Sequence, residues 1–555
     1  MKSFVRISAL LWADILVLYA FFVMQNYLTN VWKLSFTHAA AILNVWGGIS
    51  LMLPVFFLFL VDAVLGHFMM LVISSLAYTV GVGLVTMSTP PVLANSTGSC
   101  KKYEPRCIGR AQKSLFYTGM ALVAVGIAGH LVSVRPFLDE QQDKPKGRNH
   151  SSKIECLKLP GFTLIVVLPI VGAIALPYIK PWDLRFGIPA ICTALTTFFF
   201  LTGWCTYDKA SPQGSPLTNV CRVFVAAFLK KSKQVPADSD HLYIRDGENL
   251  KSFSRTRFLR CLEKAAVESK DENLKSQDEN RWRLCSVSEV EDAKIAVRMI
   301  PMWLTFIMCG IVSSTGNTYF VEQANHMDRK LGSWKVPVPI LLLLSEWVKS
   351  LFASLASCYL KRSKSYAPSI GIAISMVFSI LCCITAARIE NRRIRIIWEH
   401  NLADKPDDKV PMSVFWMLFQ FFLLAGLNAF LDKGVAKFYE DQSPESMKRY
   451  LELFTKGVSG LGFIFAVVSV YAVGKVSERR GGKNWFQYTL NRSRLDRYYW
   501  VLAGLSFANL VVFAFVASFY RYKDRETSDE CAEIEGSSGL PSDGNGEGVS
   551  CSCCG

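Results

Sequence analysis

Stretches of about 20 apolar residues, the length of a helix that crosses a bilayer, recur along this chain. The clearest are Ala40–Leu60, Phe68–Met87, Ser114–Val134, Gly161–Ile179 and Val501–Tyr520. Hydrocarbon offers no water to satisfy backbone N–H and C=O groups, so such segments are confined to helices. The apolar runs are too uniform around the helix to be surface elements of a soluble protein. An all-α polytopic membrane protein follows, and each ionisable group within a span then needs a reason to be there.

Apolar length and polar breaks predict about 12 transmembrane helices. Six lie near 8–28, 40–60, 68–88, 114–135, 161–180 and 185–206, and six near 297–318, 336–358, 368–388, 412–432, 457–476 and 499–520. The domain reading is an N-terminal six-helix bundle over 1–206, a basic cytoplasmic linker over 207–296, a C-terminal six-helix bundle over 297–521 and an acidic, disordered cytoplasmic tail over 522–555. Two halves of this kind are the layout of a carrier that rocks around a central site. Lys230, Lys231, Lys233, Arg255, Arg257, Arg260, Lys264, Arg281 and Arg283 place the linker, and with it both termini, in the cytoplasm by the positive-inside rule. Against this topology, Arg392, Arg393, Arg395, Arg479, Arg480 and Lys483 fall in loops expected on the other side. Ser252–Lys264 reads either as a basic amphipathic helix on the membrane surface or as a solvated linker helix.

The net charge of +16 fits loops facing anionic lipid rather than nucleic acid. The loop with the sequon Asn95-Ser96-Thr97 also holds Cys100 and Cys107, a disulfide candidate. A glycosylation acceptor beside a disulfide points to a lumenal or extracellular loop. The C-x-x-C spacing from Cys551 to Cys554 has no second pair, so neither metal nor cofactor is expected. G-x-S-x-G, HExxH and P-loop motifs are absent, which leaves no support for an enzyme. Plasma membrane and vacuolar membrane both fit.

Several segments resemble the plant nitrate/peptide transporter family, part of the proton-coupled oligopeptide transporters of the major facilitator superfamily. They are Phe186-Gly187-Ile188-Pro189-Ala190, Gly214-Ser215-Pro216-Leu217-Thr218, Val225-Ala226-Ala227-Phe228, Met327-Asp328-Arg329, Asp441-Gln442-Ser443-Pro444-Glu445-Ser446-Met447, Gly482-Lys483-Asn484-Trp485, Leu490-Asn491 and Leu495-Asp496. The resemblance implies the major facilitator fold and a carrier that functions as a monomer. The loop Asp62-Ala63-Val64-Leu65-Gly66-His67 looks like the superfamily's loop motif. Asp62 would then latch one conformation and Gly66 would permit the turn, while His67 stands where the family usually has Arg.

The resemblance also implies an E-x-x-E-R motif on the first span. Aligned on Tyr27-Leu28-Thr29, its charged positions hold Leu10, Ala13 and Asp14. The family's lysine on span four falls at Leu131, its acid on span ten at Asn428 and a histidine on span seven at Ser313. Candidates for the substrate pathway or proton coupling are therefore Asp14, His130, Ser313, Thr315, Asn317, Tyr319, Glu346, Lys349 and Asn428. Hydroxyl and amide donors can replace an anion's hydration shell, or can simply satisfy helix carbonyls. Glu346 and Lys349, three apart on one face, are either a self-neutralising pair or a passage-facing one. Asp432 and Lys433 are read as the headgroup end of span ten.

The expected function is alternating-access transport of a small anionic solute, nitrate first, with proton coupling atypical or lost. The rival class is a receptor or scaffold on a transporter fold that moves nothing. Dipeptide, chloride, plant hormone and glycoside remain as other cargoes, with peptide disfavoured because the groups that would grip its termini are missing.

Overall fold

The computed structural model describes residues 2–90, 92–93, 107–141, 167, 171–172, 174–179, 181–212, 214–232, 243, 259–267, 282–362, 367–406, 408–443, 445–479 and 482–520. Among them, ten helical stretches are long and apolar enough to cross a membrane. One of these, Phe36–Met87, is 52 residues long. It turns back after Val61–Leu65 at Gly66, whose φ of +70° only glycine adopts without cost, and so supplies two crossings. The expected fifth span lies for most of its length outside the described residues, as do Asn95, Cys100 and the acidic tail.

The first span is Lys2–Phe22 continued by Met24–Asn30, the second Phe36–Leu60, the third Gly66–Met87, the fourth Arg110–Glu140 and the sixth Trp182–Leu201. The seventh runs Ile300–Thr315, through a π-helical turn at Gly316–Phe320, into Val321–His326. Pro339–Arg362, Ala367–Glu399, Met417–Gln442, Glu445–Glu478 and Leu495–Phe519 are the eighth to twelfth. Two short ribbons join their ends: Met327–Asp328 pairs with Val410–Ser413, and Lys330–Leu331 with Trp334–Lys335.

Two helices run further than their apolar patterns. The ninth continues to Glu399, so Arg392, Arg393 and Arg395 are helical rather than in a loop. Arg393 is 1% exposed and bonds Glu390, itself fully buried, at 2.7 Å; Gln323 and Asn491 complete the cage. A cation neutralised in this way exerts little pull on topology, which removes part of the charge conflict. The tenth continues to Gln442, so Asp432 sits well inside a helix and not at its headgroup end.

Span eleven crosses two neighbours at glycines. A Cβ on Gly48 would lie 2.7 Å from the Gly460 carbonyl oxygen, and one on Gly310 would lie 2.2 Å from that of Ser459. Backbones approach this closely in membranes because small residues gain packing that larger ones prevent.

The described part of the linker is folded. Ser215 caps Pro216–Leu229, and Ser286 with Glu289 forms a capping box for Val287–Arg298. Lys294, 2% exposed, sits between Glu263 at 2.8 Å and Glu291 at 2.7 Å. Of Ser252–Lys264, the described residues from Leu259 onward form a 3-10 turn, Arg260–Ala266, instead of a surface-lying amphipathic helix. The cause is Leu262, Ala265 and Ala266, which are buried in one cluster with Val223, Ala226 and Val290. Cys285 in this unit is buried, and burial with nearby Glu289 pushes its thiol up to about 11. The thiolate is the reactive form. At neutral pH, mass spectrometry of alkylated native protein should therefore find exposed Cys221 and Cys261 modified and Cys285 not. Rapid labelling of Cys285 would show that the linker is open.

Candidate functional site

Asp14 and His130 lie 116 residues apart in sequence and meet in the first half. His130 Nδ1 is 2.9 Å and 3.0 Å from the two Asp14 carboxylate oxygens, and its Nε2 is 2.8 Å from Ser75 Oγ. The Tyr78 ring stands edge-on to the imidazole at 5.4 Å, and its hydroxyl reaches Asp14. Glycines on span four make this contact close: a Cβ on Gly129 would strike Ser74, and one on Gly126 would strike Tyr78, each at 2.4 Å. Span three thus comes near enough to flank His130 with Ser75 and Tyr78. His130 is 4% exposed, while Leu131 is 47% exposed and points elsewhere. One residue is about 100° of helix rotation, so His130, not Leu131, faces the acid of span one. A buried imidazole with both nitrogens engaged and a partly exposed carboxylate is an arrangement able to take up and release a proton. Ser75 and Tyr78 escape sequence reasoning, since both residue types are ordinary helix packers.

In the second half, Ser313 Oγ donates to Asn428 Oδ1 at 2.8 Å, joining spans seven and ten. Asn317, one turn along from Ser313, is exposed on a span that is otherwise largely buried. Thr315 is buried and bonds the Ile311 carbonyl at 3.0 Å, so its hydroxyl satisfies backbone. Tyr319 is 2% exposed between Phe36 and Tyr498, at 5.9 Å and 6.3 Å, and packs rather than lining a passage. Lys349 pairs with Asp432 at 3.1 Å and not with Glu346, which lies within electrostatic reach of both Lys349 and Tyr19 of the first span.

The loop motif joins three parts of the chain. Tyr450 of span eleven donates to Asp62 Oδ2 at 2.6 Å and lies 2.7 Å from Ser215 of the linker. Gly214 N–H donates to the Asp62 carbonyl at 3.0 Å, and Gly66 packs under Ala210. His67 stands 3.8 Å from Glu140, beyond hydrogen-bond length. Tyr450→Phe strips both hydroxyl contacts, and a buried acceptor left without its donor costs about 1–3 kcal/mol. A cysteine placed on this face should react roughly tenfold faster in the variant, at about 1.4 kcal/mol per decade. An unchanged labelling rate would show that the contact latches nothing. Cys107 is buried with a free thiol.

A family model described as POT family matches residues 68–486. Protein NRT1/ PTR FAMILY 5.5 of Arabidopsis thaliana is 38% identical over 523 residues, covering 93% of this chain and 96% of its own. Protein NRT1/ PTR FAMILY 8.1 of the same plant is 30% identical over 521 residues, covering 90% of each. Among solved structures, an auto-inhibited POT family peptide transporter superposes with a TM-score of 0.64 at 16% identity, covering 94% of this chain and 98% of its own.

Proposed function

The chain belongs to the POT family of membrane transporters, and on that premise we propose that it moves a small anionic solute, nitrate first, with a proton carried at the Asp14–His130 pair. The observation that carries this reading is the 2.9 Å contact between those side chains. The family's E-x-x-E-R charges are gone from span one, yet an acid on that span still meets a base on span four. A proton on the imidazole turns the His130–Asp14 hydrogen bond into an ion pair and its loss undoes that, and a contact that differs between two states is what lets a proton bias their equilibrium.

Ser313, Asn317 and Asn428 supply neutral donors for an anion in the second half. We place the Asp62–Tyr450–Ser215 junction on the cytoplasmic face, because the basic linker joins it there. Alternating access then consists of breaking and remaking that junction as the halves rock. The test is labelled-nitrate flux, in both directions, in oocytes expressing the protein. Flux above control that rises on acidification supports the reading. Nitrate binding without flux would instead make the protein a receptor on a carrier fold.

A further inference from the structure

Asn428 and Asp432 are one turn apart on span ten, and Glu346 and Lys349 are three apart on span eight. With Ser313 on Asn428 at 2.8 Å and Lys349 on Asp432 at 3.1 Å, a polar seam crosses spans seven, ten and eight. Leu343, three residues before Glu346 on span eight, is buried in one cluster with Val17, Tyr19 and Ala20 of the first span, so this face of span eight is turned toward the other half rather than toward lipid. An ammonium at this depth is costly and calls for a role.

We propose that Lys349 is an anion-binding ammonium whose place is held in this structure by the Asp432 carboxylate, and that a proton on Asp432 exchanges that carboxylate for a small monovalent anion. The proposal rests on the anion-carrier reading and adds a second, separate proton to it. The charges balance. Glu346, Lys349 and Asp432 together carry one net negative charge; a proton on Asp432 and an anion on Lys349 leave that total unchanged. An anion arriving alone would raise it to two, which the Coulomb energy opposes. Asp432 has these charged and titratable neighbours among the described residues. Span eight brings Lys349 and Glu346, with Tyr19 of span one beyond, and Lys433 neighbours it in sequence. Nearest Asp432, span nine brings Ile372 against Gly434 and Phe378 against Gly426, and span seven brings Ser313 against Asn428, none of which titrates; the Cys382 contact on Gln420 and the Trp303 contact on Tyr439 lie about three and two helical turns away.

Equilibrium binding of labelled nitrate to the purified full-length protein tests this. Wild-type affinity should fall about tenfold per unit rise in pH once Asp432 is ionised. Asp432→Asn frees Lys349 permanently, so affinity at neutral pH should rise and the pH slope flatten. Lys349→Gln should lose binding at every pH. The double variant K349Q/D432N removes both partners of the ion pair and leaves the seam's net charge unchanged, so it should fold and still bind nothing. Nitrate binding by wild type with the same slope in D432N, or binding retained in the double variant, would overturn the proposal and leave the cargo reading standing. Absence of nitrate binding to wild type at any pH would overturn the cargo reading and this proposal with it.

Discussion

Replacing Gly310 with leucine is expected to eliminate folded protein from detergent extracts. A Cβ at this position would sit 2.2 Å from the Ser459 carbonyl oxygen, and one at Gly462, across the same crossing, 2.4 Å from that of Ile307. The obstacles are backbone atoms of spans seven and eleven, which cannot rotate aside as a side chain could. Overpacking a core by even small groups costs about 1–3 kcal/mol, and here the added group is larger and the wall stiffer. Even Gly310→Ala should lower the melting temperature and broaden the size-exclusion profile. The crossing of Gly48 with Gly460 is of a different kind, since it joins the two halves. Gly460→Ala there should leave a folded protein with impaired flux, because the halves must pass each other at that point. Wild-type thermal stability in Gly310→Leu would mean that the helices do not cross as described.

Asp14→Asn should sharply reduce the acid stimulation of transport while sparing the fold. Asparagine keeps an acceptor for His130 Nδ1–H but gains no charge on ionisation, because it has none to gain. If Asp14 and His130 hold the coupling proton, wild-type rate should change by up to about tenfold per pH unit on the limiting side of its profile. The variant's profile should be shallower over the same range, keeping only the dependence that Asp432 brings. His130→Ala should be harsher, since it also strands Ser75 and leaves the Asp14 carboxylate without its imidazole in a largely apolar surround. Acid stimulation persisting unaltered in Asp14→Asn would move the proton elsewhere and leave the pair a structural role.

The bilayer made much of this fold readable. Hydrocarbon demands long apolar helices, so the spans announced themselves, and it penalises charge, so Asp14, His130 and Lys349 each stood out. Their pairing was not readable, because span order does not reveal which faces meet. Leu131 and His130 differ by one position: the resemblance sets the family's lysine at Leu131, while it is His130 that meets Asp14. Asp432 was taken for a helix end because the apolar pattern fades there. The helix continues to Gln442, where Lys437 pairs with Glu440 at i,i+3 and with Asp441 at i,i+4. Arg393 was counted as a loop cation for the same reason: nothing in its own stretch of chain announces Gln323 and Asn491, which enclose it with Glu390. The Asp62 junction is half visible in the sequence: Asp62 and Gly66 are marked by their motif, while Tyr450 and Ser215 come from distant segments that only folding brings near.

The most direct test is accumulation of labelled nitrate by sealed vesicles containing the purified protein, under an imposed inward proton gradient and with the membrane potential clamped. Wild type is expected to concentrate nitrate above the outside level and to dissipate the gradient as it does so, whereas Asp14→Asn, which keeps only the proton proposed at Asp432, should concentrate it less. Wild-type vesicles that never exceed the outside concentration, or Asp14→Asn vesicles that concentrate nitrate as well as wild type, would contradict the account.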